Sequence, residues 1–311
     1  MSERRIVNIA SYKRTDSLVK TLESLMDQCD EINLVLNDFE DEIPSILYHN
    51  KINLYFSDNS KGDAFKFYRL MESDGYFLTV DDDLIYPPNY VEYMIAKCKE
   101  YGNTRVITLH GRNFSSFPIA SYYRSATERY TCLNAVNKNV IVQFGGTGVM
   151  CFHTDLFKLP IEYFIYPNMA DVWIGKYCME NKIEILCVRH DSGYIKYINQ
   201  NNTIFDTESK RDHLQTLVTN SIFDKTIVLP SVMYSEPEKK LEDIFKVRET
   251  PIKITKTMEK SVKTINYETV NQIFNNSPSH KSIKPKTITG NSTLKTNSSM
   301  INKLILSKKR R

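Results

Sequence analysis

The stretch Tyr76-Phe77-Leu78-Thr79-Val80-Asp81-Asp82-Asp83-Leu84-Ile85-Tyr86-Pro87-Pro88 runs an apolar segment straight into three carboxylates. Its first five residues read as a buried strand. A chain does not normally crowd three negative charges at a strand end, because like charges repel and part-buried carboxylates are costly without a cation. A divalent metal resolves the conflict, since Mg²⁺ and Mn²⁺ favour carboxylate and water oxygens and commonly combine one or two protein carboxylates with substrate phosphates. An acidic turn capping the helix predicted at Tyr90 is the other reading of the same residues, Asp being a turn residue.

On the N-terminal side of this stretch, Ile6-Val7-Asn8-Ile9-Ala10 reads as a strand, and Thr15 or Asp16 can cap a helix whose Leu18, Leu22, Leu25 and Met26 fall at helical spacing. Ile32 to Leu36 is a second strand, ending at Asn37-Asp38, and Ile52 to Phe56 a third. Short helices are predicted over Glu42 to Tyr48 and from about Asp63 to Met71. Strands alternating with helices imply a parallel sheet with right-handed crossovers, which binds ligands beyond the carboxyl ends of its strands. Ser11 to Arg14, Asn37-Asp38, Ser57 to Lys61 and Asp81 to Asp83 all lie at such ends.

On the C-terminal side, Tyr90 to Tyr101 reads as helix and Arg105 to Leu109 as strand, and residues 111 to 138 carry no assignable element. Asn139 to Phe152 is apolar and β-rich but broken by Gly145-Gly146-Thr147-Gly148. A helix from Asp171 to Glu180 and a strand over Ile183 to Val188 follow, and no linker is evident before about residue 235. Trp173, the only tryptophan, reads as core.

The chain has 311 residues, 41% of them hydrophobic, enough to bury a sizeable core. No apolar run approaches the ~20 residues that span a bilayer, and Met1 to Arg14 lacks the apolar stretch of a secretory signal. The six cysteines show neither C-x-x-C pairs nor zinc-site spacing. They read as reduced core residues of a cytoplasmic chain. G-x-G-x-x-G and G-x-x-x-x-G-K-[ST] are both absent, which excludes the common dinucleotide and P-loop signatures.

The net charge of +4 hides a division: residues 251 to 311 hold 13 Lys and Arg against Glu259 and Glu268, leaving the preceding 250 residues acidic. That tail is rich in Ser, Thr, Asn and Lys, too polar to offset the ordering entropy of ~1–2 kcal/mol per residue, and is expected to be largely disordered. Its end, Ile301 to Arg311, sets apolar residues beside Lys308-Lys309-Arg310-Arg311. This segment suits an anionic membrane surface, with a peripheral location, and less readily nucleic acid. A solvated tail without a partner fits the composition equally.

Two longer stretches, Asp58-Asn59-Ser60-Lys61-Gly62-Asp63-Ala64-Phe65-Lys66-Phe67-Tyr68 and Gly75 to Tyr90, resemble almost residue by residue the GT-A fold glycosyltransferases, in particular the family 2-like inverting enzymes of bacteria and large viruses. The resemblance covers roughly residues 4 to 200. It implies an α/β GT-A fold with a mostly parallel central sheet, a domain over 1–235 with a nucleotide-binding half (1–100) and an acceptor half (101–235), and the tail 236–311. The implied activity is metal-dependent transfer of a sugar from a nucleotide-sugar donor, a uridine diphosphate sugar, to a glycan or lipid-linked acceptor.

By the same resemblance, Asp83 binds the Mn²⁺ or Mg²⁺ that bridges the donor diphosphate, and Asp81 contacts the ribose or a metal-bound water. The triple Asp leaves that register open, so Asp82 stands with them. Ser11, Tyr12 and Arg14 would hold the nucleotide, Asp38 and Asp58 would accept from base or ribose, and Lys61 and Lys66 would lie near it. Inversion at an anomeric carbon needs a base for the acceptor hydroxyl, and Asp171 at its helix start matches the family's catalytic Asp, though a simple N-cap is the plainer reading of it. Gly145 to Gly148 resembles the acceptor-side loop, and His190 is a candidate for a further metal ligand. A nucleotidyltransferase, a glycosyltransferase of modified DNA bases and a catalytically inactive sugar-nucleotide-binding module are the rival readings.

Overall fold

The computed structural model describes residues 3–198, 208–210 and 212–229. In chain order the strands are β1 (Arg5–Tyr12), β2 (Glu31–Asn37), β3 (Ile52–Ser57), β4 (Tyr76–Val80), β5 (Leu84–Ile85), β6 (Arg105–Thr108) and β7 (Gly111–Asn113). They continue as β8 (Glu128–Tyr130), β9 (Val140–Val142), β10 (Phe144–Gly145), β11 (Val149–His153), β12 (Glu184–Cys187) and β13 (Lys196–Tyr197). The α-helices are α1 (Thr15–Leu25), α2 (Tyr90–Glu100), α3 (Ala170–Glu180) and α4 (His213–Phe223).

The central sheet has the order β3-β2-β1-β4-β11-β6-β12-β9. Alternation sorts its side chains into two layers. Val7, Ile9, Leu78, Val80 and Ile107 pack with Leu18, Leu22 and Leu25 of α1 and with Met94 and Cys98 of α2. Phe77, Val106, Met150 and Phe152 face the opposite layer with Phe65, Phe67 and the buried Trp173. β4 is buried at every position, as expected of a strand covered on both faces. Within the sheet, Asn8, Asn33 and Asn53 lie opposite one another, and their amides bond in a row at 3.0 and 3.1 Å, a polar chain that pins the register of β1, β2 and β3.

The expected parallel sheet is interrupted by β11, which runs antiparallel between β4 and β6, and by β9, antiparallel at the edge beyond β12. Two reversals restore direction, so β6 is parallel to β4 and both carboxyl ends open on one edge. The helix expected from Asp63 to Met71 is instead a pair of 3₁₀ turns, Gly62–Phe67 and Leu70–Glu72, and that over Glu42 to Tyr48 shortens to a 3₁₀ turn at Ser45–Tyr48. Ala64, Phe65, Lys66 and Phe67 are consecutive and all buried, a run that an α-helix with one apolar stripe does not accommodate.

Residues 111 to 138 are built from β7 and β8, which with β10 form a small separate sheet, and a loop fastened by α4. Asp212 accepts from Ser121 Oγ at 2.6 Å and from the Tyr123 amide at 2.9 Å, while Asn220 exchanges hydrogen bonds with the Ile119 backbone at 2.8 and 3.0 Å. All six cysteines are buried and free. Among the described residues no helix is long and apolar enough to cross a membrane. The tail 236–311, with its expected disorder and membrane or nucleic-acid contacts, lies outside the described residues.

Candidate active site

The turn after β4 is held from below by Tyr86, whose buried hydroxyl accepts from the Asp81 amide at 2.9 Å and donates to the Gly148 carbonyl at 2.6 Å. Asp82 points inward, accepting from Ser11 Oγ at 2.6 Å and Arg14 Nη1 at 3.2 Å. Arg14 Nη1 also lies 3.0 Å from Asp83, and the buried Lys66 ammonium lies 2.5 Å from Asp81. Burial lifts the Asp82 carboxyl against the pull of Arg14 and Ser11. Burial, then the neighbouring Asp81 and Asp82, push Asp83 up to about 7. Lys66 is held above its ordinary value: burial works against its charge, but Asp81 and then Asp63 outweigh it.

Ser11 and Arg14 therefore brace the acidic turn at the end of β1. Tyr12 projects beside them, 45% exposed, with the Lys13 ammonium 5.3 Å from its ring centre. Asp38, at φ +46°, and Asp58, whose carboxylate caps the Ser60 amide at 3.1 Å, occupy the adjoining ends of β2 and β3. Lys61, expected near the nucleotide, has its ammonium on the Phe164 carbonyl at 3.0 Å, and burial lowers its pKa.

The Gly145-Gly146-Thr147-Gly148 segment does more than bend the chain. Asp171, in the first turn of α3, accepts from both the amide and the hydroxyl of Thr147, each at 2.7 Å. A Cβ on Gly148 would fall 1.9 Å from Asp81 Oδ2, and one on Gly146 would fall 2.7 Å from the His110 side chain. Three consecutive residues thus touch His110, Asp171 and Asp81, and their lack of side chains at two positions permits the approach.

The N-cap reading of Asp171 is corrected by Asp63, whose carboxylate oxygens lie 3.2 and 3.4 Å from the Ala170 amide, while the Asp171 carboxylate is turned to Thr147. Lys61, Gly62 and Asp63 together fasten the 3₁₀ turn to the segment before α3: Lys61 at Phe164, Gly62 at φ +54° against Asn168, Asp63 at Ala170. Burial raises the Asp63 carboxyl to about 7, with Asp171 and Asp81 adding to the rise and Lys66 opposing it. Sequence reasoning missed both Asp63, whose partner is remote in the chain, and His110, whose signal was its place just after the strand Arg105 to Leu109.

His190, expected as a further metal ligand, has Nδ1 2.8 Å from the Val188 carbonyl and Nε2 3.4 Å from that of Thr131, a buried ring that cross-links two backbone segments. Among the described residues no three His, Cys, Asp or Glu side chains form a ready metal cage. The acidic turn still fits Mg²⁺ or Mn²⁺: its three carboxylates meet the two cations Arg14 and Lys66, and two carboxylate ligands suffice where phosphates complete the shell.

No curated protein matches the chain. Residues 6–155 match the model of the family described as Glycosyl transferase family 2, a span that contains β1 to β4, the acidic turn and the Gly146–Gly148 segment. On this match and the sheet that carries it, residues 6–155 are similar to the family 2 glycosyltransferases, and the large, mostly parallel α/β sheet fits their GT-A fold.

Proposed function

We propose that the protein transfers a sugar, with inversion, from a nucleoside diphosphate sugar, a uridine diphosphate sugar being the first choice, to a hydroxyl of a glycan or lipid-linked acceptor. The observation that carries this reading is the approach of Asp81 and Asp171 to successive residues of one glycine-rich segment, which sets a phosphate-side carboxylate and a base on the same sheet edge.

In this reading the donor diphosphate lies over the acidic turn, and Asp81 and Asp83 are the residues that would hold a divalent metal. Such a metal, when bound, supplies positive charge to the leaving diphosphate. Tyr12, Asp38 and Asp58 line the nucleoside end, and Arg14 and Lys66 hold the acidic side chains in place. Asp171 Oδ1 is oriented by Thr147, and among the described residues Oδ2 carries no hydrogen bond, which leaves it to receive the acceptor proton. As that proton moves to Asp171, the acceptor oxygen bonds to the anomeric carbon, and the bond to the diphosphate breaks with its electron pair on the phosphate oxygen. A sugar acceptor suits the aromatic side of the cleft, where Arg112 stacks on Tyr122 and Tyr123 at 4.5 and 5.1 Å.

Asp171→Asn tests the assignment. The amide oxygen can still accept from Thr147, so donor affinity should hold within about twofold while transfer falls by ~10²–10⁴-fold, the usual contribution of a general base. Transfer at the wild-type rate would remove Asp171 from the role.

A further inference from the structure

We infer that His110 contacts the transferred sugar and is a specificity-determining residue: its imidazole hydrogen-bonds a hydroxyl of the donor hexose. This inference rests on the glycosyltransferase reading and deepens it. His110 follows β6, whose carboxyl end opens on the same edge as that of β4. The backbone fixes it firmly, with its amide 3.2 Å from Thr108 Oγ1 and its carbonyl accepting from the Gly146 amide at 2.8 Å. The imidazole lies against Gly146, immediately beside Thr147, which binds Asp171, and two residues from Gly148, which abuts Asp81.

The anomeric carbon must lie between the leaving phosphate and the base, so the sugar ring spans this wall. Among the described residues neither ring nitrogen of His110 has a hydrogen-bond partner, and the residue is half-buried, so its nitrogens are accessible to a ligand in the cleft. Burial and the nearby Arg112 lower its pKa, against Asp171 and Asp81, which favours the neutral ring at physiological pH. A neutral imidazole offers one donor and one acceptor, the same pair that a sugar hydroxyl offers in return.

The test is calorimetric binding, with Mn²⁺, of UDP, GDP and dTDP and of the corresponding nucleotide-hexoses to wild type, His110→Phe and His110→Asn. Phe keeps a ring against Gly146 and removes both polar atoms; Asn keeps a donor and an acceptor. For the diphosphate that binds, His110→Phe should leave the affinity within twofold and weaken the nucleotide-hexose about tenfold, the effect of one lost hydrogen bond, with His110→Asn recovering most of it. The free diphosphate serves as the folding control for both variants. An unchanged ratio of diphosphate to nucleotide-hexose affinity in His110→Phe overturns the role of His110 and leaves the glycosyltransferase reading standing. Failure of wild type to bind any member of the panel overturns that reading and this inference with it.

Discussion

Replacing Asp63 by Asn separates the hydrogen bond this residue accepts from the charge it can carry. The Asn oxygen remains an acceptor for the Ala170 amide, which Asp63 meets at 3.2 and 3.4 Å, and Asn is as good a helix cap as Asp. The charge behaves differently. Burial, with Asp171 and Asp81, raises the carboxyl from 3.8 to about 7, so the folded protein keeps a proton that the unfolded chain releases. Its contribution to stability is therefore whole below about pH 4 and drains away as pH rises to about 7. At ~1.4 kcal/mol per unit the ceiling is ~4 kcal/mol, and relaxation around Lys66 reduces the expected value to ~2 kcal/mol. Asp63→Asn has no such titration. Urea unfolding of both proteins at a series of pH values should show near-equal stability at about pH 4 and the variant ahead by ~2 kcal/mol at about pH 8. A difference that stays flat, or that turns against the variant as pH rises, would mean that Asp63 is ionised in the fold and paired with Lys66, and would refute the reasoning.

Two further substitutions probe the same scaffold. Lys66→Met leaves Asp81 without its ammonium; breaking a buried pair costs ~3–5 kcal/mol, and since the Asp81 side chain is 44% exposed we expect ~2 kcal/mol in denaturant titration, with a loss under ~0.5 kcal/mol counting against the pairing. Gly148→Ala places a methyl group 1.9 Å from Asp81 Oδ2, so the carboxylate must shift, and kcat should fall by ~10²-fold, as for a misplacement of about 1 Å; near-normal turnover would show that Asp81 is free to move without consequence.

The N-terminal half of the sheet was legible because its information is local. Ile6 to Ala10, Ile32 to Leu36, Ile52 to Phe56 and Tyr76 to Val80 are apolar runs stopped by turn residues, and they appear as β1 to β4, paired in parallel as expected. The acidic turn and the helix opening at Asp171 were visible for the same reason. What escaped depends on pairing between remote residues. β7 and β8 have three residues each and exist through each other and through α4, so nothing within 111 to 138 announces them. The antiparallel β11 is read as strand but not placed between β4 and β6 by its own sequence. Asp63 reads as an ordinary helix-start residue, and only the fold brings it to the Ala170 amide, as it brings Lys61 to the Phe164 carbonyl. Among the histidines, His190 stood out by its place after the strand that follows the Asp171 helix, whereas the one near Asp171 and Asp81 is His110.

The most direct measurement is calorimetric binding of UDP, GDP, CDP, ADP and dTDP, with and without Mn²⁺, to wild type and to Asp83→Ala. The donor site built on Asp81 and Asp83 should give binding of one diphosphate that requires Mn²⁺ and disappears in the variant. Binding that is indifferent to Mn²⁺ and to Asp83→Ala, or no binding of any diphosphate to wild type, would contradict a metal-assisted donor site on the acidic turn.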